Sequence, residues 1–362
     1  MPTTGHGRLG GVTSTPPVPA APSELPSGWS ARVPAGDDVE SLARLVAAHR
    51  RSVRGTASVD VDAVAAAVTG TGSWTRRQLV LESPGGELAA WVAVHDRAGG
   101  RTMIELTVDP GCEDCDRVAA VLLHWAGDAA IETARLRELD RTQLDAMVYS
   151  DDERQQRWLA AAGYERTRTW LQLTRPVDDA DTLPPPREGV TVRRVAKHDN
   201  GLPVATDIQV VHQMLEESFA DHFNSYRESF PEFLQRLRED PGHRWDHWWI
   251  AEVDGDEGRQ PGGALVSSVL PADPDGVPGS YVDYIGVHRR ARGRGVAKAL
   301  LHTVIRDAHA LGRNRVGLEV DADSPTGADG LYRSMGWTTS YETESWHADC
   351  RPAAGGFEAT DG

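Results

Sequence analysis

Apolar residues recur at helical spacing in the last third of the chain. A helix there would bury one face, formed by Val296, Ala297, Leu300, Leu301, Val304, Ile305, Ala308 and Leu311. Gly312 follows where a C-terminal cap belongs, because glycine adopts the left-handed conformation without strain. Residues 281–287 before it form a short apolar run. The pattern therefore predicts a strand, a turn and a helix, in that order.

The two halves of the chain show the same order of predicted elements. The first half has a strand at 103–108, a helix from 118 to about 134, another strand and a short helix ending in Ala-Gly-Tyr. The second half repeats this order and ends in Met-Gly-Trp. Val108 and Val287 are 179 residues apart, and Gly163 and Gly336 are 173 apart. This agreement favours a duplicated α/β unit, with chance similarity as the alternative.

Pro-rich and Gly-rich stretches divide the chain. Residues 1–29 are predicted to be a disordered tail, because they cannot bury enough apolar surface to offset their ordering entropy. Residues 179–188 contain three consecutive prolines and predict an extended linker. Residues 351–362 predict a flexible C-terminal tail. The expected domains are therefore 30–178 and 189–350.

Composition restricts the class of protein. The chain has 362 residues, of which 40% are hydrophobic and 25% charged, and its net charge is −16. This balance argues against nucleic acid as a partner. Three cysteines exclude a disulfide framework, and no apolar run is long enough to span a membrane. No secretory signal is present either, so a cytoplasmic location is expected.

Positive charge is concentrated after the 281–287 strand. Arg290, Arg292, Gly293, Arg294 and Gly295 lie between this strand and the helix that starts at Val296. Glycines let backbone N–H groups approach an anion, and a helix N-terminus adds unpaired donors. The loop therefore predicts a phosphate-bearing ligand, with a solvated basic turn as the alternative. It matches neither a nucleoside-triphosphate loop nor a dinucleotide fingerprint.

Two motifs in residues 189–350 resemble the GNAT acyltransferase superfamily, tandem-domain type. The run from Arg290 to Gly295 matches its [QR]-x-x-G-x-[GA] motif, and residues 331–337 match its late L-Y-x-x-x-G-[FY] motif. The resemblance implies an α/β fold of two tandem GNAT-like mixed-sheet domains, each a central sheet flanked by helices. It also implies acetyl-CoA as co-substrate and no metal. One departure is Ser324-Pro325, where the family usually has asparagine.

The resemblance also implies site residues. The cofactor-binding candidates are Ile285, Gly286, Val287, Arg290, Arg292, Gly293, Arg294, Gly295, Val296 and Ala297. Tyr332 occupies the position from which the family protonates the thiolate of CoA; the alternative is a core tyrosine. The general base is Asp283, Glu319 or a water chain. Strand alternation predicts that Asp283 shares the face of Ile285 and Val287.

The first half has different chemistry at the equivalent loop. Alignment on the two strands places Glu113, Asp114 and Asp116 opposite the arginine and glycines of the second half. Carboxylates repel a pyrophosphate, so we expect a degenerate domain that braces the active one or walls its acceptor cleft. Cys112 and Cys115 form a single C-x-x-C, too few ligands for a structural zinc site. Two reduced thiols are the expected state.

The acceptor side is less informative. Wall candidates are His222, Asn224, Tyr226, Trp245, Trp248 and Trp249, and an acidic rim would consist of Glu216, Glu217 and Asp221. Alternation predicts that one of Trp248 and Trp249 is buried and the other turned outward. The alternative is that the acidic residues form a solvated helix face without a binding role.

The sequence thus predicts an N-acetyltransferase that transfers acetyl directly to a primary amine, in its C-terminal domain. A small-molecule acceptor is favoured over a protein N-terminus. A non-enzymatic acyl-CoA-binding or interaction protein is the competing hypothesis. No nucleic-acid or membrane partner is expected, and a monomer and a homodimer both remain open.

Overall fold

The computed structural model describes residues 22, 24–55, 58–97, 100–219, 228–256, 258–323 and 328–351. Of the predicted tails, residues 1–21, 23 and 352–362 lie outside this range, as does Ser324-Pro325, whereas Leu25 and Trp29 pack against the core of the first half. No helix in the described ranges is long and apolar enough to cross a membrane. The expected cytoplasmic location stays a prediction.

Twelve strands form the centre of the part of the chain that the structure describes. They are β1 (Ser30–Arg32), β2 (Arg76–Glu82), β3 (Leu88–Asp96), β4 (Arg101–Val108), β5 (Thr142–Tyr149), β6 (Glu165–Pro176), β7 (Val190–Arg194), β8 (His243–Gly255), β9 (Gly258–Leu270), β10 (Gly279–Val287), β11 (Arg315–Asp321) and β12 (Thr338–Cys350).

Eight α-helices in the described ranges cover the strands. They are α1 (Val39–Arg54), α2 (Val61–Val68), α3 (Cys115–Leu136), α4 (Glu153–Ala161), α5 (Ala205–Phe219), α6 (Phe230–Arg238), α7 (Val296–Ala310) and α8 (Ala328–Ser334). The predicted strands and helices of both halves are present. The helix expected from 118 starts three residues earlier, at Cys115.

All twelve strands belong to one sheet, in the order β1-β2-β3-β4-β5-β12-β6-β11-β10-β9-β8-β7. The last strand of each half pairs with a strand of the other half. Strand β6, from the first half, pairs with β11, whereas β12, at the end of the chain, pairs with β5. The two exchanged strands also pair with each other. The two halves are therefore joined by a continuous hydrogen-bonded sheet.

Each half contains one parallel strand pair that separates before its strands end. Pairing of β10 with β11 reaches only Val282 and Leu318, although β10 continues to Val287. Pairing of β4 with β5 likewise ends at Ile104 and Ala146. Each separation leaves a gap in the sheet, and in the second half this gap opens beside the arginine-rich loop.

Helix α7 confirms the predicted apolar face, with one exception. Leu300, Leu301 and Ile305 are fully buried against the sheet. Gly312 has a φ angle of 70°, as expected for a helix end. Leu311, however, is 51% exposed, because the helix stops at Ala310 and its cap turns away from the sheet.

The prediction that one of Trp248 and Trp249 faces outward is wrong. Both side chains are buried, at 0% and 2% exposure. Trp248 packs with Phe233 of α6 on one face of β8, and Trp249 packs with Leu300 of α7 on the other. Alternation does place the two on opposite faces, but helices cover both faces of this strand.

Candidate active site

The loop between β10 and α7 leaves several backbone N–H groups without protein acceptors. Gly293 and Gly295 have φ angles of 77° and 87°, in the left-handed region that glycine adopts without strain. Among the described residues, no acceptor contacts the amides of Gly293, Gly295, Val296, Ala297 and Lys298. These amides belong to the loop and the first turn of α7, at the positive end of the helix dipole. The loop therefore fits a phosphate group.

The three arginines predicted to bind the cofactor differ in orientation. The Arg290 guanidinium donates to the carbonyl oxygen of Pro261 at 2.9 Å, and that of Arg294 donates to the carbonyl oxygen of Asp254 at 2.9 Å. Both side chains thus brace the loop from outside. Arg292 is exposed and lines the cavity described below. The cofactor role of all three stays a prediction.

A fourth arginine lies at this loop and was missed by sequence reasoning. Arg187 comes from the Pro-rich segment between the halves. Its Cδ lies 2.9 Å from the position that a Cβ on Gly295 would take, and its Nη1 lies 3.4 Å from the Gly293 carbonyl oxygen. The absence of a side chain at Gly295 therefore makes room for Arg187. No local pattern connects a linker residue with a loop more than 100 positions later.

A cavity of about 1620 Å³ starts at this loop and includes the gap between β10 and β11. It reaches the exchanged strands β6 and β12 at its other end. Its lining includes Arg187, Arg292, Gly293, Gly295, Val296, Ala297, Lys298, Asp283, Tyr284, Ile285, Gly286, Val287, Glu319, Asp321, Tyr332, Arg101, Arg168, Trp170, Arg236, Ser345 and His347. The cavity thus brings together most residues predicted from the second half.

Tyr332, in α8, lines this cavity from the α7 side of the sheet. It packs in the same core as Val296 and Leu318, and its ring centroid lies 5.9 Å from that of Trp337. Burial raises the pKa of Tyr332 to about 12. The phenol therefore keeps its proton at neutral pH and can act as a hydrogen-bond donor.

Asp283 lies on the opposite face of the sheet from that predicted. Val282 and Tyr284 pair with consecutive residues of β9, so Asp283 is the extra residue of a β-bulge. The bulge shifts the alternation by one residue. Ile285 and Val287 pack against the α7 core, whereas Tyr284 packs with α5 and α6, and Asp283 lies on this second side.

The surroundings of Asp283 favour its protonated form. Burial, together with the nearby Asp240, raises the pKa of Asp283 to about 8. The Ser268 hydroxyl donates to Asp283 Oδ1 at 3.2 Å and opposes this shift. A buried carboxyl group with a pKa near the working pH is suited to accept and release a proton.

Glu319, on β11, lines the same cavity. Its Oε2 accepts a hydrogen bond of 2.6 Å from Gln172 Nε2, across the β6–β11 pairing. Burial raises the pKa of Glu319, and the hydrogen bond from Gln172 opposes this effect. Both base candidates thus lie beside the gap. Their catalytic role stays a prediction.

The predicted acceptor residues are only partly at the cavity. Trp248 and Trp249 belong to the core, and Trp245 packs edge-on against His243 at 4.5 Å, away from the cavity lining. Glu216 and Glu217 do line the cavity. Glu217 is not an unpaired rim charge, because its Oε2 lies 2.9 Å from Nε2 of His288.

Four of the predicted acceptor residues, His222, Asn224, Tyr226 and Asp221, lie outside the described residues. Sequence reasoning instead missed the contribution of the exchanged strands. Arg168 and Trp170 of β6, and Ser345 and His347 of β12, line the far end of the cavity with Arg101 of β4. The exchange of β6 and β12 between the halves brings the residues of these strands to the cavity, and no sequence motif indicates this exchange.

In the first half, side chains fill the equivalent gap. Gln155 Nε2, from α4, donates to the carbonyl oxygen of Leu106 at 2.5 Å. Arg154 donates to the carbonyl oxygens of Pro110 and Asp109 at 3.2 and 3.4 Å. The cavity beside these residues measures only about 290 Å³. This geometry agrees with the expectation of a half that does not bind the cofactor in the usual way, which stays a prediction.

The cysteines do not form a metal site. Cys112, Cys115 and Cys350 are free thiols. Burial raises the pKa of Cys112, which disfavours a reactive thiolate. The described residues contain no group of three or more His, Cys, Asp or Glu positioned for a metal ion.

The gap between the parallel strands, the loop with unpaired amides at its edge and the cavity that joins them make up the candidate site. The acetyltransferase (GNAT) family profile matches residues 211–337. Residues 211–337 are thus similar to GNAT acetyltransferases, and the relatives below extend the similarity to most of the chain. The protein is an acyltransferase, and its co-substrate is an acyl-CoA.

Similar proteins support this assignment. Mycothiol acetyltransferase from Kocuria rhizophila is 27% identical over 277 residues, which cover 75% of this chain and 82% of that protein. A GCN5-related N-acetyltransferase from Sphaerobacter thermophilus has a TM-score of 0.69 at 23% identity, with 91% and 98% of the two chains covered. A tandem GNAT protein from the clavulanic acid biosynthesis pathway has a TM-score of 0.63 at 16% identity, covering 89% and 98%.

The solved structures confirm the predicted tandem GNAT fold, and the family profile and the curated relatives confirm the acyltransferase class. They do not test the domain boundaries or the duplication, which stay predictions.

Proposed function

We propose that the second half of the chain transfers the acetyl group of acetyl-CoA to the primary amine of a small molecule. The family match lies within this half. The loop with unpaired amides, the gap and the buried ionisable groups lie there too. The equivalent gap of the first half is filled by Arg154 and Gln155, which supports this choice of half.

Acetyl-CoA fits the anion loop. The amides of Gly293, Gly295 and Val296 would hold its pyrophosphate, with Arg292 and Arg187 supplying positive charge. Backbone groups of residues 285–287, on the unpaired edge of β10, would bind its amide groups and thioester carbonyl. The co-substrate supplies an activated acetyl group as a thioester.

Direct transfer requires two proton movements. Asp283 or Glu319 takes a proton from the acceptor ammonium, so that the nitrogen lone pair is free to attack. The new C–N bond forms as the C–S bond breaks, and the electron pair of that bond goes to sulfur. Tyr332 donates a hydrogen bond to the sulfur as negative charge develops there and then gives it a proton, and the phenolate takes a proton back from solvent. The raised pKa keeps Tyr332 protonated before the reaction.

One observation carries the proposal: the acid and the base candidates lie on opposite faces of the sheet, with the gap between them. Tyr332 packs in the core on the α7 face. Asp283 and Glu319 line the cavity on the α5 and α6 face. An acyl group in the gap would thus have its leaving thiol on the acid side and its attacking amine on the base side.

A small acceptor is supported by the walls of the cleft. Trp170 and Arg168 from β6, with Ser345 and His347 from β12, line the end where an amine would enter. The Kocuria relative is named for mycothiol, and by analogy we assign a small molecule rather than a protein N-terminus to this chain.

The test is the variant Tyr332→Phe. Turnover would be followed as thiol release from acetyl-CoA with glucosamine, tyramine, kanamycin and a seryl peptide as acceptors. We expect kcat to fall at least about 100-fold for the best small amine, the usual range for loss of a general acid or base. The affinity for acetyl-CoA, measured by calorimetry, should stay within about twofold because the phosphate loop is unchanged.

Tyr164→Phe is the matched control. Tyr164 is another buried phenol, at the equivalent helix end of the first half. An equal loss in both variants would refute the role of Tyr332. Acetylation of the peptide and of none of the small amines would refute the assigned acceptor class.

A further inference from the structure

The exchanged strand β6 places first-half residues on the acceptor face of the second half. In the antiparallel pairing of β6 with β11, Gln172 is opposite Glu319 and Trp170 is opposite Asp321. Directly opposed residues project from the same face of a sheet. The pairing of β6 with β11 therefore places a first-half residue, Gln172, beside Glu319, one of the two candidate bases.

Gln172 uses its side-chain amide on residues of the second half. Its Nε2 donates to Glu319 Oε2 at 2.6 Å and to Thr343 Oγ1 at 3.1 Å. Its Oε1 lies 3.5 Å from the hydroxyl of Tyr281. The side chain is 7% exposed. An amide buried to this extent and held by three partners has one orientation, so its donor remains directed at Glu319.

We infer that Gln172, a residue of the first half, is a positioning residue that holds the Glu319 carboxyl group at the gap, facing the acceptor amine, and favours its ionised form. The role of an acceptor amine rests on the proposed function, whereas the effect of Gln172 on Glu319 does not. An ionised Glu319 would attract the ammonium form of the acceptor, or accept its proton. The first half would then be needed for the chemistry and not only for the shape of the cleft.

The charge state of Glu319 depends on a small set of neighbours. Burial raises the pKa of Glu319, and Gln172 supplies the hydrogen bond that lowers it. The other facing groups are Tyr281 of β10 and Tyr341 of β12, and burial raises the pKa of both phenols, so they are neutral. The next carboxylate on β11, Asp321, is paired with Arg168 at 3.5 Å. Without Gln172, the described surroundings of Glu319 would therefore favour its protonated form.

The experiment measures the pKa of Glu319 directly, in the full chain without ligand. Protein with carbon-13 in the glutamate carboxyl groups is titrated by NMR, and Glu319→Gln assigns the resonance. In Gln172→Met, a side chain of similar length without a donor, we expect the pKa of Glu319 to rise by about one unit. The control is Thr174→Val, two residues along the same strand and away from the cavity lining.

A second variant guards against misfolding of Gln172→Met. Gln172→Asn keeps an amide in the sheet but shortens it by one methylene group, which withdraws the donor from Glu319. It should raise the pKa of Glu319 in the same direction. An unchanged pKa in the folded Gln172 variants, or an equal rise in Thr174→Val, would overturn the inference.

Kinetics separate this inference from the proposed function. With the best amine of the acceptor panel, the acidic limb of the kcat/KM profile should move to higher pH in Gln172→Met by the shift seen in NMR. The affinity for acetyl-CoA should stay unchanged. A shift in NMR without turnover of any amine would support the positioning role while the proposed function fails. If Gln172→Met turns over the amine but its kcat/KM profile stays at the pH of the native chain while the NMR pKa of Glu319 shifts, Glu319 does not act on the acceptor.

Discussion

Glu239, directly after α6, provides the sharpest test of how the two halves are held together. Its carboxylate accepts hydrogen bonds from three first-half residues: Thr75 Oγ1 at 2.7 Å, Arg76 Nη1 at 2.8 Å and His95 Nε2 at 3.1 Å. The Glu239 side chain is only 5% exposed. Helix α6 also carries Arg236, which lines the large cavity and donates to the Tyr284 hydroxyl. The perturbation is Glu239→Gln, which removes the charge and keeps the shape.

The pKa of Glu239 sets the size of the expected loss. Burial alone would raise this pKa, but donors from His95, Thr75 and Arg76 hold it at about 2, below the ordinary 4.5. Each unit corresponds to about 1.4 kcal/mol, so the carboxylate contributes about 3 kcal/mol at neutral pH. Because the folded-state pKa is lowered, this contribution is present above about pH 4.5 and is lost as the pH falls toward 2.

The assay is urea unfolding followed by tryptophan fluorescence. At pH 7 we expect Glu239→Gln to lower the free energy of unfolding by about 2 to 3 kcal/mol. The difference from the native chain should shrink by roughly 1 kcal/mol by pH 3.5, as the glutamate becomes protonated on unfolding. Glu105→Gln removes the same charge from an exposed position of β4 and should change little. A loss that is independent of pH, or equal to that of Glu105→Gln, would refute the reasoning.

Two further predictions concern the second half. Gly295→Ala would force an L-residue to a φ of 87° and bring its Cβ to 2.9 Å from Arg187, so acetyl-CoA affinity measured by calorimetry should fall at least about tenfold. Gly312→Ala, equally left-handed at the other end of α7 and open in space, should cost similar stability and no affinity, and equal affinity losses would contradict the loop assignment. Burial and Asp240 raise the pKa of Asp283 to about 8, so a rise of kcat/KM centred near pH 8 that Asp283→Asn removes and Gln172→Met leaves in place would assign the base to Asp283, whereas a rise that Gln172→Met moves would assign it to Glu319. A flat profile between pH 6.5 and 9 in the native chain would exclude Asp283 as the base.

The sequence carried enough information for the phosphate loop and the helix behind it. Gly293 and Gly295 are needed because of the backbone angles of that turn, and such a requirement is visible in residue type alone. The buried face of α7, including Leu300 and Ile305, follows from helical period because one side of the helix packs on the sheet. The family motifs predicted Tyr332 as a site residue, and it lines the same cavity as Gly293 and Gly295; its catalytic role stays a prediction.

Other features were decided by packing between distant segments. Trp248 and Trp249 are both buried because helices cover both faces of β8, which alternation within a strand does not reveal. A bulge turns Asp283 to the face opposite the one that alternation predicts, and its cause is the register with β9. Leu311 is exposed because the helix ends one residue before it.

The same distinction applies to the candidate site as a whole. Local sequence determined which residue types could bind a phosphate and donate a proton, because glycine angles, helix ends and the phenol are properties of short segments. Only the tertiary structure decided that β6 and β12 change places, so that Trp170 lines the cavity and Gln172 donates a hydrogen bond to Glu319. It also decided that Arg187 reaches the loop. Strand pairing depends on hydrogen bonds and buried faces between segments more than 100 residues apart, and no local pattern encodes which partner a strand takes.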